Sequence, residues 1–127
     1  MCYSTNQLTA LQLVGLLRSL APNLPKFNIA MSVVAPYMTE SGLMFPELRQ
    51  KLQEAGVVIN AAESVGLAMG YLAAKKVNGK SLYCAADSWW EVEDQLHELM
   101  PQWLGEENCE QQRKAESASF FTSESGL

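Results

Sequence analysis

Residues 60–76 read NAAESVGLAMGYLAAKK, and this stretch is the most informative one for the fold. Asn60 and Glu63 resemble a capping box, in which two side chains satisfy N–H groups in the first turn of a helix. An unbroken apolar run follows from Val65 to Ala74. Two lysines close the stretch, where the negative end of the helix dipole favours cations. We therefore predict a helix over residues 60–76.

Small residues recur every four positions along this predicted helix, at Ala62, Gly66, Gly70 and Ala74. A glycine inside a helix costs about 1 kcal/mol relative to alanine, so two of them in one helix indicate a packing reason. A ridge without bulk lets a second backbone approach closely. We interpret the ridge as a helix-packing surface inside a tight bundle, with self-association of two copies and a ligand pocket as the alternatives.

Two more helices are predicted upstream of this stretch. The first covers residues 5–20 and has a stripe of leucines at i, i+3, i+4 and i+7 spacing, which is typical of a core-facing helix: Leu13, Leu16, Leu17 and Leu20. Pro22 ends it. The next begins at Pro46, a favoured first helical residue, and stops near Gly56.

Two segments are ambiguous between strand and other structure. Residues 27–35 alternate apolar and small or polar side chains as a strand does, yet the same residues also fit one helix face. We favour a helix there because the neighbouring segments are helical. Residues 80–85 follow an Asn78-Gly79 turn and form either a short strand or a connection.

Ser88 and Glu91 have the spacing of a second capping box and predict a helix that Pro101 ends. Its inner stripe consists of Trp89, Val92, Leu96 and Leu99. Its outer face carries an aromatic residue among acids, namely Trp90, Glu91, Asp94 and Glu98. Because tryptophan is enriched in binding hot spots, we predict that these four residues bind a partner protein, preferably a basic one.

The apolar pattern stops after residue 104. Residues 105–127 carry five acidic and two basic residues and few apolar ones, which favours disorder. The predicted organisation is a single helical domain over residues 1–104 with a disordered acidic tail over residues 105–127. The predicted fold class is an all-α bundle of four to five helices, with at most a short hairpin near Asn78-Gly79. The alternative is an α+β fold with a short hairpin, because residues 27–35 and 80–85 could pair.

Composition excludes several classes of function. The net charge is −5, so the surface lacks the basic patch that nucleic acid or an anionic membrane would select. No apolar run approaches the roughly twenty residues of a membrane span, and the first residues lack the basic region of a signal peptide. Three widely spaced cysteines do not form a disulfide framework. We expect a cytoplasmic protein with reduced thiols.

Motifs for catalysis and for cofactor binding are missing from the sequence. His97 is the single histidine, and its spacing from Cys84 and Cys109 is not that of metal ligands. Neither a nucleophile elbow nor a glycine-rich phosphate loop occurs. We therefore predict no enzyme, no metal and no cofactor.

The remaining hypothesis is a non-enzymatic protein-binding module, such as a small inhibitor, an immunity-type protein or an adaptor, which acts through its acidic helix face. A second copy of the chain is another candidate partner. The alternative function is a helix-turn-helix DNA-binding regulator built from residues 48–55 and the helix after Asn60. Nucleic acid is the less favoured partner, because Glu63 would face the phosphates of DNA.

Overall fold

A computed structural model describes residues 5–118 of the chain. Its helices are α1 (Thr5–Leu20), α2 (Pro46–Glu54), α3 (Ala62–Ala74), α4 (Glu93–Leu104) and α5 (Glu106–Ala118), with a 3-10 turn at Leu24–Phe27. Its strands are β1 (Val33–Pro36), β2 (Ser81–Ala85) and β3 (Ser88–Glu91). The chain divides into two compact units, one up to Glu93 and one from Asp94 onward.

The three strands form one mixed sheet in the order β1-β2-β3. β1 pairs parallel with β2, with Val33 opposite Ser81. β2 pairs antiparallel with β3, with Tyr83 opposite Trp90. The all-α prediction is therefore wrong, and the α+β alternative describes the fold class. Strand pairing joins residues far apart in sequence, so the local patterns that indicate helices could not reveal it.

The preference for a helix over residues 27–35 is likewise wrong. Val33 and Val34 lie in β1, and Pro36 ends it. Parallel strands need a long crossover connection, and here α2 and α3 supply it between β1 and β2. Branched valines suit a pleated strand with neighbours on both sides, which is a property of the sheet rather than of the segment.

Helices cover both faces of the parallel pair. One face of β2 presents Leu82 and Cys84, which form a buried cluster with the α3 residues Val65, Ala68 and Leu72. The other face presents Ser81, whose hydroxyl donates to Glu93 Oε1 over 2.9 Å. The same carboxylate is bound by Arg18 of α1 at 2.8 Å, so α1 lies on the face opposite α3. The first unit is thus a helix–sheet–helix sandwich around a parallel pair.

The second predicted capping box is also wrong, because Ser88–Glu91 is β3 and not the start of a helix. A two-residue turn joins β2 to β3, and both of its residues have positive φ, 48° at Ala86 and 54° at Asp87. Turns with φ above zero at both central positions match the twist of a β-hairpin. The hairpin therefore forms here and not at Asn78-Gly79. Pairing with β2 overrides the local signal for a helix cap.

The second unit contains most of α4 and all of α5. Pro101 lies inside α4 instead of ending it, and Gly105 separates the two helices with a φ of 85°. α5 occupies residues 106–118, where the composition predicts disorder. Glu106 and Glu107 suit its positive end, and Lys114 pairs with Glu110 at 2.8 Å. The boundary predicted after residue 104 stays a prediction, and residues 119–127 of the predicted tail lie outside the described residues.

Candidate functional site

The carboxyl ends of β1 and β2 meet at one edge of the sheet. In open sheets with parallel strands, ligands bind in the crevice outside this edge. β1 ends at Pro36 and continues as exposed backbone through Tyr37. β2 ends at Ala85, beside the hairpin turn. This carboxyl edge is the candidate functional site.

A buried asparagine holds the loops of the carboxyl edge together. Asn60 is 1% exposed, and its Nδ2 donates to Cys84 O at 2.9 Å and to Thr39 Oγ1 at 3.3 Å. Its Oδ1 accepts the N–H of Asp87 at 2.9 Å. A buried amide is costly unless its hydrogen bonds are made, and here both ends of the amide are used. Asn60 therefore fixes the loop after β1 relative to the turn after β2.

Backbone hydrogen bonds reinforce the same junction. The N–H of Asn60 donates to Met38 O, and the N–H of Glu40 donates to Asn60 O, each at 2.8 Å. The Thr39 hydroxyl donates to Tyr37 O at 2.8 Å. The segment after β1 is thus held by main-chain and side-chain bonds together, which is the rigid support that a binding edge needs.

The backbone of the hairpin turn at this edge is strained, and hydrogen bonds from residues outside the turn stabilise it. Alanine rarely adopts positive φ, whereas aspartate tolerates it. Asp87 Oδ1 accepts the N–H of Ala61 at 2.7 Å, and the Asp87 N–H is held by Asn60. These bonds retain Ala86 in its unfavourable conformation. Strained backbone that the surroundings hold in place is common at functional sites.

Three aromatic rings cross the sheet in a row that begins at the carboxyl edge. Tyr37 and Tyr83 have ring centroids 6.5 Å apart, and Tyr83 and Trp90 have theirs 6.2 Å apart. All three rings are exposed by between 38% and 49%. The row lies on the face opposite α3, because Tyr83 alternates with the buried Leu82 and Cys84. It gives the site an apolar, partly open wall.

The opposite face carries a second aromatic pair, which is tied to α3. The ring centroids of Tyr71 and Trp89 are 6.2 Å apart, and the Trp89 indole N–H donates to Ser64 O at 3.1 Å. Trp89 is directly opposite Cys84 in the hairpin register. Trp89 and Trp90 therefore lie on opposite faces of the sheet, because successive side chains of a strand alternate between faces. The sequence pattern instead places them on two sides of a helix.

The amino end of β2 carries an ionic cluster. Burial pushes the pKa of Glu93 up, but hydrogen bonds from Arg18 and Ser81, with the charges of Arg18 and Lys80, outweigh it and hold this pKa below its ordinary value. At the other end of the strand, burial raises the pKa of the Cys84 thiol. Cys84 is therefore a packing residue and not a poised nucleophile.

The four residues predicted to bind a partner do not form one helix face. Trp90 and Glu91 lie on β3 in the first unit, whereas Asp94 and Glu98 lie on α4 in the second. The Glu91 side chain accepts the N–H of Glu93 at 2.9 Å and so caps the start of α4. The acidic helix face predicted from the sequence is thus replaced by a strand and a helix, and partner binding at these residues is untested.

The small-residue ridge faces away from the sheet. Ala62, Gly66, Gly70 and Ala74 are all exposed on α3. Within the part of the chain that the structure describes, a Cβ atom added at Gly66 or Gly70 would meet no atom within 4 Å. Helix packing and self-association through this ridge both stay predictions.

Sequence reasoning missed Asn60, Thr39 and Asp87 as members of the site. The sequence pattern predicts Asn60 as the cap of α3, but the residue at that position is Ala61, which makes no side-chain cap. Asparagine, threonine and aspartate at chain turns are ordinary loop signals. Only the positions of β1 and β2 could have singled them out, since each of the three lies beside the carboxyl end of a strand.

Over residues 5–118, no group of three or more histidine, cysteine or acidic side chains could hold a metal ion. In the same range, no helix is long and apolar enough to cross a membrane. Cytoplasmic localisation and the nature of a protein partner stay predictions.

The chain is similar in sequence to fungal oxidoreductases. The short-chain dehydrogenase/reductase prx4 of Penicillium roqueforti is 30% identical over 128 residues, which covers 86% of this chain and 39% of that protein. The protein of the same name in Penicillium rubens gives the same values. The short-chain dehydrogenase/reductase ATR7 of Stachybotrys chlorohalonatus is 28% identical over 120 residues, or 78% of this chain and 38% of that protein. No family model matches the chain, and no solved structure matches it significantly.

These similarities overturn the functional prediction. The relatives are named as dehydrogenases or reductases, so the prediction of a non-enzymatic inhibitor, immunity-type protein or adaptor is wrong, as is the prediction that the protein is no enzyme. The alternative prediction of a helix-turn-helix DNA-binding regulator is also wrong, because α3 packs its apolar face on a sheet. The chain spans about two fifths of the length of the curated relatives it matches. The similarity is therefore to a part of each of these relatives.

Proposed function

We propose that this chain forms one part of an oxidoreductase of the short-chain dehydrogenase/reductase type and contributes the carboxyl edge of β1 and β2 to its ligand site. The similarity to the Penicillium proteins over most of the chain carries the proposal. The parallel pair with helices on both faces supports it, because such sheets bind ligands at the carboxyl ends of their strands.

Hydride transfer by dehydrogenases generally uses a nicotinamide dinucleotide. The residues of this chain do not fit a complete site for that cofactor. Its pyrophosphate binds a glycine-rich turn between a strand and a helix, and the eight glycines of the chain nowhere have the G-x-G-x-x-G spacing. Phosphate binding must therefore come from outside the chain, and the carboxyl edge contributes a wall of the site only.

Exposure at the carboxyl edge identifies the residue that a ligand would meet. Tyr37 directly follows β1, is 49% exposed and begins the aromatic row. Asn60 and the Thr39 hydroxyl are already engaged with protein groups, so they position the edge and do not contact the ligand. Tyr37 combines an apolar ring with a hydroxyl, which suits both stacking and hydrogen bonding.

A chimera tests the proposal: this chain replaces the matched stretch of the Penicillium roqueforti relative. We expect the folded chimera to bind reduced nicotinamide dinucleotide, measured by energy transfer from tryptophan, and to turn over members of a panel of simple alcohols and ketones. Tyr37→Ala should weaken ligand binding by about tenfold, because a well-packed aromatic contact is worth on the order of 1–2 kcal/mol.

Phe45→Ala is the matched control, since Phe45 is another exposed loop aromatic, 71% exposed, and is not one of the three rings of the row. It should leave binding unchanged. A chimera that unfolds cooperatively but neither binds the dinucleotide nor turns over any substrate contradicts the proposed function.

A further inference from the structure

We propose that Asn78 is a site of spontaneous deamidation, a modification that the fold suppresses and that, once it occurs, removes a tie between the end of α1 and the turn before β2. Deamidation converts the side-chain amide into a carboxylate and needs water as its only co-reactant. Asn78 lies at the amino end of the parallel pair, opposite the proposed ligand site, so the modification is independent of the proposed function.

The Asn78-Gly79 dipeptide has the sequence that favours this reaction. Asn78 is the one asparagine of the chain that precedes a glycine. In deamidation the backbone nitrogen of the following residue attacks the side-chain carbonyl carbon, and glycine has no Cβ atom to hinder that attack. We therefore expect Asn78 to be chemically the most labile asparagine of the chain.

The reaction passes through a cyclic imide formed by the two residues. The Gly79 nitrogen attacks Cγ of Asn78, so that a nitrogen–carbon bond forms and the bond from Cγ to Nδ2 breaks. The amide group leaves as ammonia and takes with it the proton of the Gly79 N–H. Water then opens the imide at either carbonyl, which gives aspartate or a β-linked isoaspartate.

The fold needs both residues of this dipeptide. Gly79 has a φ of 74°, which favours glycine, and a Cβ atom added there would lie 3.5 Å from the Cβ of Ala21. Asn78 Nδ2 donates to Ala21 O at 2.7 Å, and its Oδ1 accepts the N–H of Met31 at 3.0 Å. An ionised carboxylate at this position has no hydrogen to donate to Ala21 O. The turn therefore retains a labile dipeptide because its geometry depends on both residues.

Met31 binds both reacting groups in the folded protein. Its carbonyl accepts the Gly79 N–H at 2.8 Å, and its own N–H donates to the side-chain carbonyl of Asn78. The attack uses the Gly79 nitrogen and the Asn78 amide at once, so both groups must first leave their hydrogen-bond partners. Deamidation therefore proceeds from a locally opened state, and its rate follows the population of that state.

Solvent reaches the site once these bonds open. Asn78 is half-buried and lines a groove of about 740 Å³ between α3 and the segment before β1. Ammonia leaves and water enters through this groove, without disruption of the buried cluster beneath α3. Opening of the amino end alone is thus enough for the reaction.

The product cannot restore the original contacts. A carboxylate at position 78 turns an oxygen instead of an N–H towards Ala21 O, and two acceptors repel each other. The β-linked product also adds a methylene group to the main chain shortly before Ser81, the residue of β2 that pairs with Val33. The end of α1 then loses this tie to the turn, and the opened state that allowed the reaction becomes more populated.

Peptide mapping by mass spectrometry tests the suppression by the fold. The full chain is incubated at mildly alkaline pH, either folded in buffer or unfolded in urea, and deamidation is followed at every asparagine. We expect Asn78 to react fastest in urea and at least about tenfold more slowly in the folded protein, because the opened state is a minor one. Equal rates in the two solutions, or a faster reaction of another asparagine in urea, would overturn the proposal.

Two arginine variants locate the opening. Arg18→Ala removes the ion pair between α1 and Glu93 and should speed deamidation of the folded protein by about threefold. Arg49→Ala, which removes the ion pair with Glu40 after β1, is the matched control and should leave the rate unchanged. The same rate in both variants contradicts an opening at the amino end.

Asn78→Asp reproduces one product and tests its structural consequence. Amide hydrogen exchange at Ala21 should become about tenfold faster, because the end of α1 has lost its hydrogen bond and faces a carboxylate. Asn28→Asp is the matched control, since it adds the same charge to the same groove at an exposed position, and exchange at Ala21 should not change. Unchanged exchange in Asn78→Asp, or equal acceleration in both variants, would show that Asn78 does not tie α1 to the turn and would refute the proposal.

Discussion

The two ends of the parallel pair are each held by an asparagine, but in different surroundings. Asn60 stands at the carboxyl end, is 1% exposed and bonds Cys84 O, Thr39 Oγ1 and Asp87 N–H. Asn78 stands at the amino end, is half-buried, and bonds Ala21 O and Met31 N–H. In both places the side-chain amide forms hydrogen bonds with backbone groups of irregular segments, which have no partner in a helix or a sheet.

Burial decides how much each asparagine contributes. When a buried polar group loses its partner, it cannot recruit water, and the full desolvation penalty appears in the free energy of unfolding. A half-exposed group regains most of its hydrogen bonding from solvent. The carboxyl end is therefore a rigid junction centred on a buried amide, whereas the amino end combines a half-buried amide with the ionic cluster of Glu93.

The largest expected effect is at Asn60. Asn60→Ala should lower the free energy of unfolding by about 2–4 kcal/mol, because several buried hydrogen bonds are lost together. Asn78→Ala, which removes a similar number of bonds from a half-buried position, should cost about 1 kcal/mol. Urea unfolding monitored by tryptophan fluorescence measures both. Equal losses for the two variants would show that burial is not the distinction between the ends.

A smaller, pH-dependent effect is expected at Glu93. Glu93→Gln should cost on the order of 1 kcal/mol at neutral pH, because the Arg18 partner is about half exposed and solvent screens the pair. Since the folded-state pKa of Glu93 is lowered, its contribution is complete well above the unfolded-state pKa of about 4.3. It disappears as the pH falls through the lower, folded-state pKa.

The measurement for Glu93 is the difference in free energy of unfolding between the parent and Glu93→Gln from neutral to acidic pH. This difference should shrink below about pH 4. The difference between the parent and Asn60→Ala should stay constant over the same range, because an amide does not titrate. A constant Glu93→Gln difference would contradict the ionic account of the amino end.

The smallest expected effect is a gain at the strained turn of the carboxyl end. Ala86→Gly removes the clash that alanine suffers at a φ of 48°, offset in part by the greater freedom of glycine in the unfolded chain. We expect a net stabilisation of about 0.5 kcal/mol. Ala85→Gly, one residue earlier in extended β2, should destabilise by a similar amount. A loss at both positions would mean that the turn stores no strain.

Much of the helical structure could be predicted from residue patterns. The leucine stripe and Pro22 predicted a helix over residues 5–20, and α1 has these bounds. Pro46 begins α2 as expected, and α3 lies within the predicted residues 60–76. The expectation of a core-facing stripe holds for Leu17, which is fully buried, whereas Leu13, Leu16 and Leu20 are each at least 40% exposed. Periodicity identifies a helix, but the surface that a helix buries depends on its neighbours.

The sequence by itself determined where α1, α2 and α3 form, because apolar periodicity and proline placement act within a few residues. Only the tertiary structure decided that Val33–Pro36 and Ser81–Ala85 are parallel strands, since their hydrogen bonds join residues almost fifty positions apart. Pairing with β2 likewise makes Ser88–Glu91 a strand of a hairpin, although the local pattern predicts a helix. It also converted Asn60 from an apparent helix cap into the buried link of the carboxyl edge, because an amide's role is set by the groups that folding brings within its reach.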